Sequence, residues 1–173
     1  MNKYLKEAKR IFEENDYTIP ENAKVYAQLT SYLAAPFRRI KIDKVLAIDM
    51  KGLMYGSVVA NKLKVGFVPI LKGNKIKNRK LVVKSKNFVD YSGKEKSVEI
   101  FTKSVKGGDR VLLVDDWFES GNTGKSAIKL IESLGGKVVG ISLIFNQLKE
   151  EDEAYFSKYN FHYLIRLEPK KLR

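Results

Sequence analysis

The chain has 173 residues, 44% hydrophobic and 31% charged, which is enough apolar content for a buried core and too much for a disordered chain. It has no cysteine and one histidine, so disulfides, thiolate metal sites and a histidine-built zinc site are excluded, and no apolar run is long enough to span a bilayer. The formal net charge of +13 reads for the most part as a solvated lysine-rich surface; the sharper readings are attraction of a polyanionic small substrate or of nucleic acid, and the excess of lysine over arginine argues weakly against base-specific readout.

In chain order, the spacing of Leu5, Ala8 and Phe12, with Tyr4 and Ile11 beside them, predicts an amphipathic helix over 3–14. The charged start Met1-Asn2-Lys3 does not read as a signal peptide, so the expectation is a cytoplasmic protein. A second helix is expected over 22–33, ended by Ala35-Pro36. Val45 to Ile48 reads as a short buried strand, Gly52 to Leu63 as a helix and Gly66 to Ile70 as another buried strand. Between Lys72 and Lys86 stand seven cations and no acid. Leu81 to Val83 and Val98 to Phe101 read as strands on either side of a polar loop, 84–96. Val138 to Phe145 and Tyr163 to Leu167 are expected as the last strands, with a charged helix over 149–157 between them. Strands alternating with helices imply an α/β fold, a mainly parallel sheet with helices on both faces. No repeat or linker divides the chain, so one domain over 1–173 is expected. It comprises an N-terminal helical part over 1–40, a core over 44–146 and a C-terminal helix and strand over 147–173.

The most informative stretch is 111–124, Val-Leu-Leu-Val-Asp-Asp-Trp-Phe-Glu-Ser-Gly-Asn-Thr-Gly. Val111 to Val114 has the unbroken apolarity of a strand covered on both faces, and Asp115 and Asp116 follow at its end. A turn of small residues leads into a helix over 123–134, with Ala127, Ile128 and Ile131 at helical spacing and Gly135-Gly136 closing it. Such a turn presents backbone N–H groups and the positive end of the helix dipole, which suits a phosphate. Two aspartates beside it would repel that phosphate unless the ligand turns hydroxyls towards them, as a phosphorylated sugar does. Asn122 tolerates the left-handed backbone that a phosphate nest needs. Gly124-Lys125-Ser126 also matches the end of a nucleotide-binding P-loop, but Glu119 stands where that motif needs its first glycine.

This stretch resembles the PRPP-binding signature of the type I phosphoribosyltransferases: an apolar strand, two acids, and a Thr-Gly-x-Thr turn in which Ser120 here replaces the first threonine. The likeness is greatest to the adenine phosphoribosyltransferases and extends over about 44–146. Met50-Lys51-Gly52 is similar to the pyrophosphate loop, with Lys51 in place of an arginine. Gly66-Phe67-Val68-Pro69-Ile70-Leu71-Lys72 is similar to the following strand, and Val89-Asp90-Tyr91-Ser92 to the mobile loop that closes over the site.

The resemblance implies transfer of 5-phosphoribose from PRPP to a purine, with adenine as the first expectation and a 6-oxopurine the second. Asp115 and Asp116 would hold the ribose hydroxyls, and Ser120, Gly121, Asn122, Thr123 and Gly124 the 5-phosphate. Lys51, Gly52, Lys72 and Lys75 would hold the pyrophosphate, with Asp90 and Tyr91 in the catalytic lid. Glu119 takes a slot that is acidic in the 6-oxopurine enzymes, so it is a catalytic candidate facing an N–H of the base, and Trp117 is a candidate for stacking on the base. Mg²⁺ is the implied cofactor, bound mainly through PRPP, with Asp115 and Asp116 as its nearest protein oxygens. The family's pyrophosphate loop carries a cis peptide, expected here at Met50–Lys51, and a homodimer is implied. Each residue also has a plainer reading: Glu119, Lys72 and Lys75 as solvated charges, Trp117 and Tyr91 as core aromatics. The rival function is a catalytically idle PRPP sensor that binds nucleic acid through its basic surface.

Overall fold

The continuous apolar runs lie in the middle of one seven-stranded sheet in a computed structural model, which describes residues 1–89 and 93–169. Two N-terminal helices, α1 (Lys3–Asn15) and α2 (Ala23–Ala34), precede β1 (Lys44–Ile48), α3 (Lys51–Leu63) and β2 (Gly66–Lys72). Then come β3 (Val82–Lys84), the short strands β4 (Phe88–Val89) and β5 (Glu95–Lys96), and β6 (Val98–Phe101). The chain ends with β7 (Arg110–Phe118), α4 (Asn122–Ser133), β8 (Lys137–Asn146), α5 (Glu150–Phe156) and β9 (Phe161–Arg166). Sheet order is β3-β6-β2-β1-β7-β8-β9; the five strands from β2 to β9 are parallel, while β6 and β3 are antiparallel additions at one edge.

Side-chain alternation explains the two layers. Val45 and Ala47 of β1, with Leu112 and Val114 of β7, face Val25, Leu29 and Leu33 of α2 and Tyr55 and Val59 of α3. Leu46, Ile48, Val111 and Leu113 face the other way, onto Ala127, Ile128 and Ile131 of α4 and Phe156 at the end of α5. Both faces are therefore dry, as a parallel sheet requires. The connection from β1 runs one way along the sheet and that from β7 the other. The C-terminal ends of β1 and β7 consequently diverge, opening the crevice where open α/β sheets hold ligands.

The expected elements are present, with three corrections. Leu81 belongs to a 3₁₀ turn, Arg79–Leu81, and the strand begins one residue later. The expected polar loop holds the β4–β5 hairpin, whose two-residue strands are too short to show a period. The strand expected to stop at Val114 continues to Phe118, so the aspartates are strand residues. Its alternation reverses across them: Trp117 packs with the layer of Leu112 and Val114, and Phe118 with that of Val111 and Leu113. Among the described residues no helix is long and apolar enough to cross a membrane.

His162, on β9, sits edge-on to Phe37, and its buried Nε2 lacks a hydrogen-bond partner among the described residues. Burial holds its pKa below the usual histidine value, outweighing a hydrogen bond to the Tyr32 backbone. A depressed histidine stabilises fully above the unfolded value of about 6.5; as pH falls below that, the unfolded chain takes a proton that the fold resists, and stability is lost. The His162→Gln variant should therefore lose less stability than the parent between pH 7 and 5 in denaturant titrations, and parallel losses in the two proteins would exclude this assignment.

Candidate active site

At the crevice between the ends of β1 and β7 lies a cleft of about 650 Å³, and most of the residues singled out in the sequence line it. From β7 and the turn after it come Asp115, Asp116, Trp117, Glu119, Ser120, Gly121, Thr123 and Gly124; from the other side come Lys51, Lys72 and Lys75. Gly52 stands directly behind Asp115. Asp90 and Tyr91 fall outside the described residues.

Asp115 is the most constrained group. It is 5% exposed, and a Cβ placed on Gly52 would lie 2.4 Å from its Oδ1 and 3.2 Å from its Cα. Only glycine lets the first turn of α3 approach that closely. Burial, and then the neighbouring charge of Asp116, push the Asp115 carboxyl well above the usual carboxylate range, against an opposing pull from Lys72. The Asp116 N–H donates to Asp115 Oδ1 at 3.0 Å. Asp116 itself pairs with Lys51, Nζ to Oδ2 at 3.0 Å, and the Lys51 ammonium stands 6.0 Å from the centre of the Trp117 ring.

The turn after β7 takes its shape from Gly121, whose φ of +72° places it in the left-handed region. Asn122, expected to supply that conformation, is instead the first residue of α4. Its N–H is 3.5 Å from Ser120 Oγ, and its side-chain amide donates to the Val89 carbonyl of β4 at 2.9 Å. It thus turns away from the cleft and ties the hairpin to the turn. N–H groups in the first turn of a helix have no intrahelical acceptor, and Thr123 and Gly124 bring that turn to the cleft wall.

Trp117 packs against the layer of the N-terminal helices, edge-on to Phe12 with centroids 5.6 Å apart, and it also borders the cleft. The cis peptide lies at Asp49–Met50, one bond before the expected Met50–Lys51.

Sequence reasoning missed Asp49 and Lys96. Asp49 is 6% exposed, accepts from the Lys72 N–H at 3.3 Å and forms an ion pair with Lys75. A signal was available, because Val45 to Ile48 followed by Asp49 repeats the pattern of Val111 to Val114 followed by Asp115. Lys96 lines the cleft from β5, inside a stretch read as loop, and nothing in its local pattern marks it. Glu99, buried on β6, takes the Ile76 N–H at 2.8 Å and Arg79 at 2.7 Å, which fixes the segment that carries Lys75. Burial would raise its pKa, but these donors outweigh it and hold the carboxyl low.

Comparison with known proteins gives the same picture. The family profile described as "Phosphoribosyl transferase domain" matches residues 17–167. An adenine phosphoribosyltransferase of Cereibacter sphaeroides is 39% identical over 112 residues, 65% of this chain and 61% of that protein; the match thus spans about three fifths of that relative's length. One from Clostridium botulinum is 32% identical over 148 residues, 86% of this chain and 84% of the relative. Among solved structures, adenine phosphoribosyltransferase from Thermoanaerobacter pseudethanolicus superposes with a TM-score of 0.79 at 28% identity, covering 88% of this chain and 86% of that one. The Giardia lamblia enzyme, complexed with 9-deazaadenine, gives 0.77 at 26% identity, covering 89% and 86%.

Two variants test the contact between Gly52 and Asp115. Gly52→Ala should force the carboxylate aside and abolish ligand binding, at a stability cost of about 1–3 kcal/mol for overpacking. Asp115→Asn should raise the Tm of the free protein at pH 7 by a few degrees, since about 1 kcal/mol is worth about 2–4 °C at this size. The parent's raised pKa means that its deficit grows as pH rises above the unfolded value of about 3.9 and vanishes below it. Thermal melts at pH 4 and pH 7 read both effects, and a lower Tm for Asp115→Asn at pH 7 would contradict the burial argument.

Proposed function

The chain belongs to the phosphoribosyl transferase domain family, and from that premise we propose that it transfers 5-phosphoribose from PRPP to a purine base, releasing pyrophosphate. The observation that carries the reading is the pairing of two carboxylates with a glycine-shaped turn on one cleft. Carboxylates accept hydrogen bonds from hydroxyls and backbone N–H groups donate to phosphate oxygens, so a phosphorylated sugar satisfies both at once.

In this reading Asp115 and Asp116 accept hydrogen bonds from the ribose 2- and 3-hydroxyls, and the turn at Ser120–Gly124 holds the 5-phosphate. The anomeric carbon is thereby fixed between leaving group and base. A ring nitrogen of the base attacks that carbon, the C–O bond to pyrophosphate breaks with its electron pair leaving on the pyrophosphate oxygen, and the base gives its ring N–H proton to the Glu119 carboxylate. Lys51, Lys72 and Lys75 neutralise the departing pyrophosphate, Lys51 by leaving Asp116 and Lys75 by leaving Asp49. Glu119 accepts the base N–H and Trp117 flanks the ring. Asp90 and Tyr91 remain proposed as the groups that exclude water.

Among the described residues no three acidic or histidine side chains converge on a metal position. The adjacent carboxylates of Asp115 and Asp116 on the cleft wall fit a divalent ion that arrives with its ligand. Mg²⁺ would be bound mainly through PRPP, with Asp115 and Asp116 as the protein groups nearest to it, and would supply charge neutralisation of the leaving group. The assembly proposed with it is a homodimer.

Adenine is the proposed base, supported by relatives named for it. Glu119 on the cleft favours a 6-oxopurine as the second reading, since a carboxylate there suits a base presenting a ring N–H. Pyrophosphate release measured with PRPP, Mg²⁺ and a panel of bases should depend on one purine. Release with none, together with salt-sensitive RNA or DNA binding, would support an idle sensor instead. The double variant Asp115→Asn with Asp116→Asn should keep its fold and lose PRPP binding, and retained affinity would end the ribose assignment. Glu119→Gln should lower kcat by about 10²-fold with little change in PRPP affinity, and Trp117→Ala should weaken base binding about tenfold. Normal turnover in both would move the base pocket to the N-terminal helices or to the mobile loop.

A further inference from the structure

The cleft wall carries four acids, Asp49, Asp115, Asp116 and Glu119, and four lysines, Lys51, Lys72, Lys75 and Lys96. Two of the lysines are already engaged, Lys51 with Asp116 and Lys75 with Asp49, and Lys72 acts on Asp115. Lys96 is different. Among the described residues it makes no ion pair, and it reaches the cleft from a hairpin rather than from the sheet.

The hairpin register explains its direction. Phe88 pairs with Lys96 and Val89 with Glu95, and cross-strand partners project to the same face. Phe88 packs against the core layer of α4, so the face it shares with Lys96 is the inner one; Val89 and Glu95 are exposed on the outer face. The hairpin is held in this attitude by the Asn122 side-chain amide, which donates to the Val89 carbonyl from the first residue of α4, directly after Gly121 of the turn. A cation that makes no ion pair among the described residues thus faces the cleft from the inner side of the hairpin.

We propose that Lys96 is an anion-binding residue of this cleft, contacting phosphate oxygens of bound PRPP, and that Asn122 is its positioning residue, acting through the hairpin. This rests on the PRPP reading above. It adds a cation carried by the β4–β5 hairpin, and it gives the Asn122 side chain a task other than touching the 5-phosphate.

Calorimetric titration of the full chain with PRPP tests it. Lys96→Met and Lys96→Gln should each weaken PRPP binding about ten- to a hundredfold, because a charge-assisted contact is lost, and Lys96→Arg should keep most of the affinity. Asn122→Ala should weaken binding as well, and adding it to Lys96→Met should cost little more, since Asn122 acts through Lys96. Separate titrations with inorganic pyrophosphate and ribose 5-phosphate identify which end Lys96 holds by which affinity falls. Parent-like PRPP affinity in both Lys96→Met and Lys96→Gln would overturn the proposal, and additive losses in the double variant would overturn the positioning role. A parent protein that binds no PRPP would overturn the functional reading itself, and this proposal with it.

Discussion

Everything around the cleft is arranged about a carboxylate kept out of water. Asp115 sits where β7 meets the first turn of α3, in a gap that only Gly52 leaves wide enough. Desolvating a carboxylate is unfavourable, and a buried charge with no full partner would ordinarily be replaced. Its neighbours relieve it only in part: Lys72 and the Asp116 N–H favour the charged form, but Asp116 adds like charge and directs its own attraction to Lys51. A ligand with paired hydroxyls would supply the missing donors, so the binding site is also the least comfortable place in the free fold. Strain of this kind belongs at functional positions.

Two packing layers converge on that point. The reversal of alternation along β7 sends Trp117 to the layer of α1 and α2 and Phe118 to the layer of α4 and α5. Phe12 of α1 meets Trp117 edge-on, while Phe118 stacks at an angle on Phe156 at the end of α5. The two flanks of the cleft are therefore anchored in separate cores. Glu99 does the same for the third wall by fixing the segment of Lys75 from beneath the sheet.

How much of this could be read beforehand depended on the range of the interaction. Val45 to Ile48 and Val111 to Val114 announced themselves because a strand covered on both faces needs unbroken apolarity. The same logic concealed the rest of β7, since two aspartates and a glutamate look like a strand's end. The turn with its glycine was legible in kind, but which residue adopts the left-handed backbone depended on how Gly121 fits beside Phe156, far along the chain. Lys51, Lys72 and Lys75 could be placed near the site by resemblance. Their partners could not, because the pairing of Lys75 with Asp49 spans 26 residues and follows from the sheet order alone. Two-residue strands such as β4 and β5 carry no period at all, so Lys96 had no signal.

The balance of four acids and four lysines on the cleft wall separates two kinds of attraction. The excess of thirteen positive charges lies outside the cleft and acts through solvent over a distance of about 8–10 Å at ordinary ionic strength. It can gather polyanions towards the protein from any direction, and salt will weaken it. The wall itself, neutral in sum, exerts little net pull, and three of its lysines already answer to acids of the same wall. Capture speed and selectivity therefore reside in different parts of the molecule. Surface lysines can be altered to change how fast ligands arrive without changing which ligand stays.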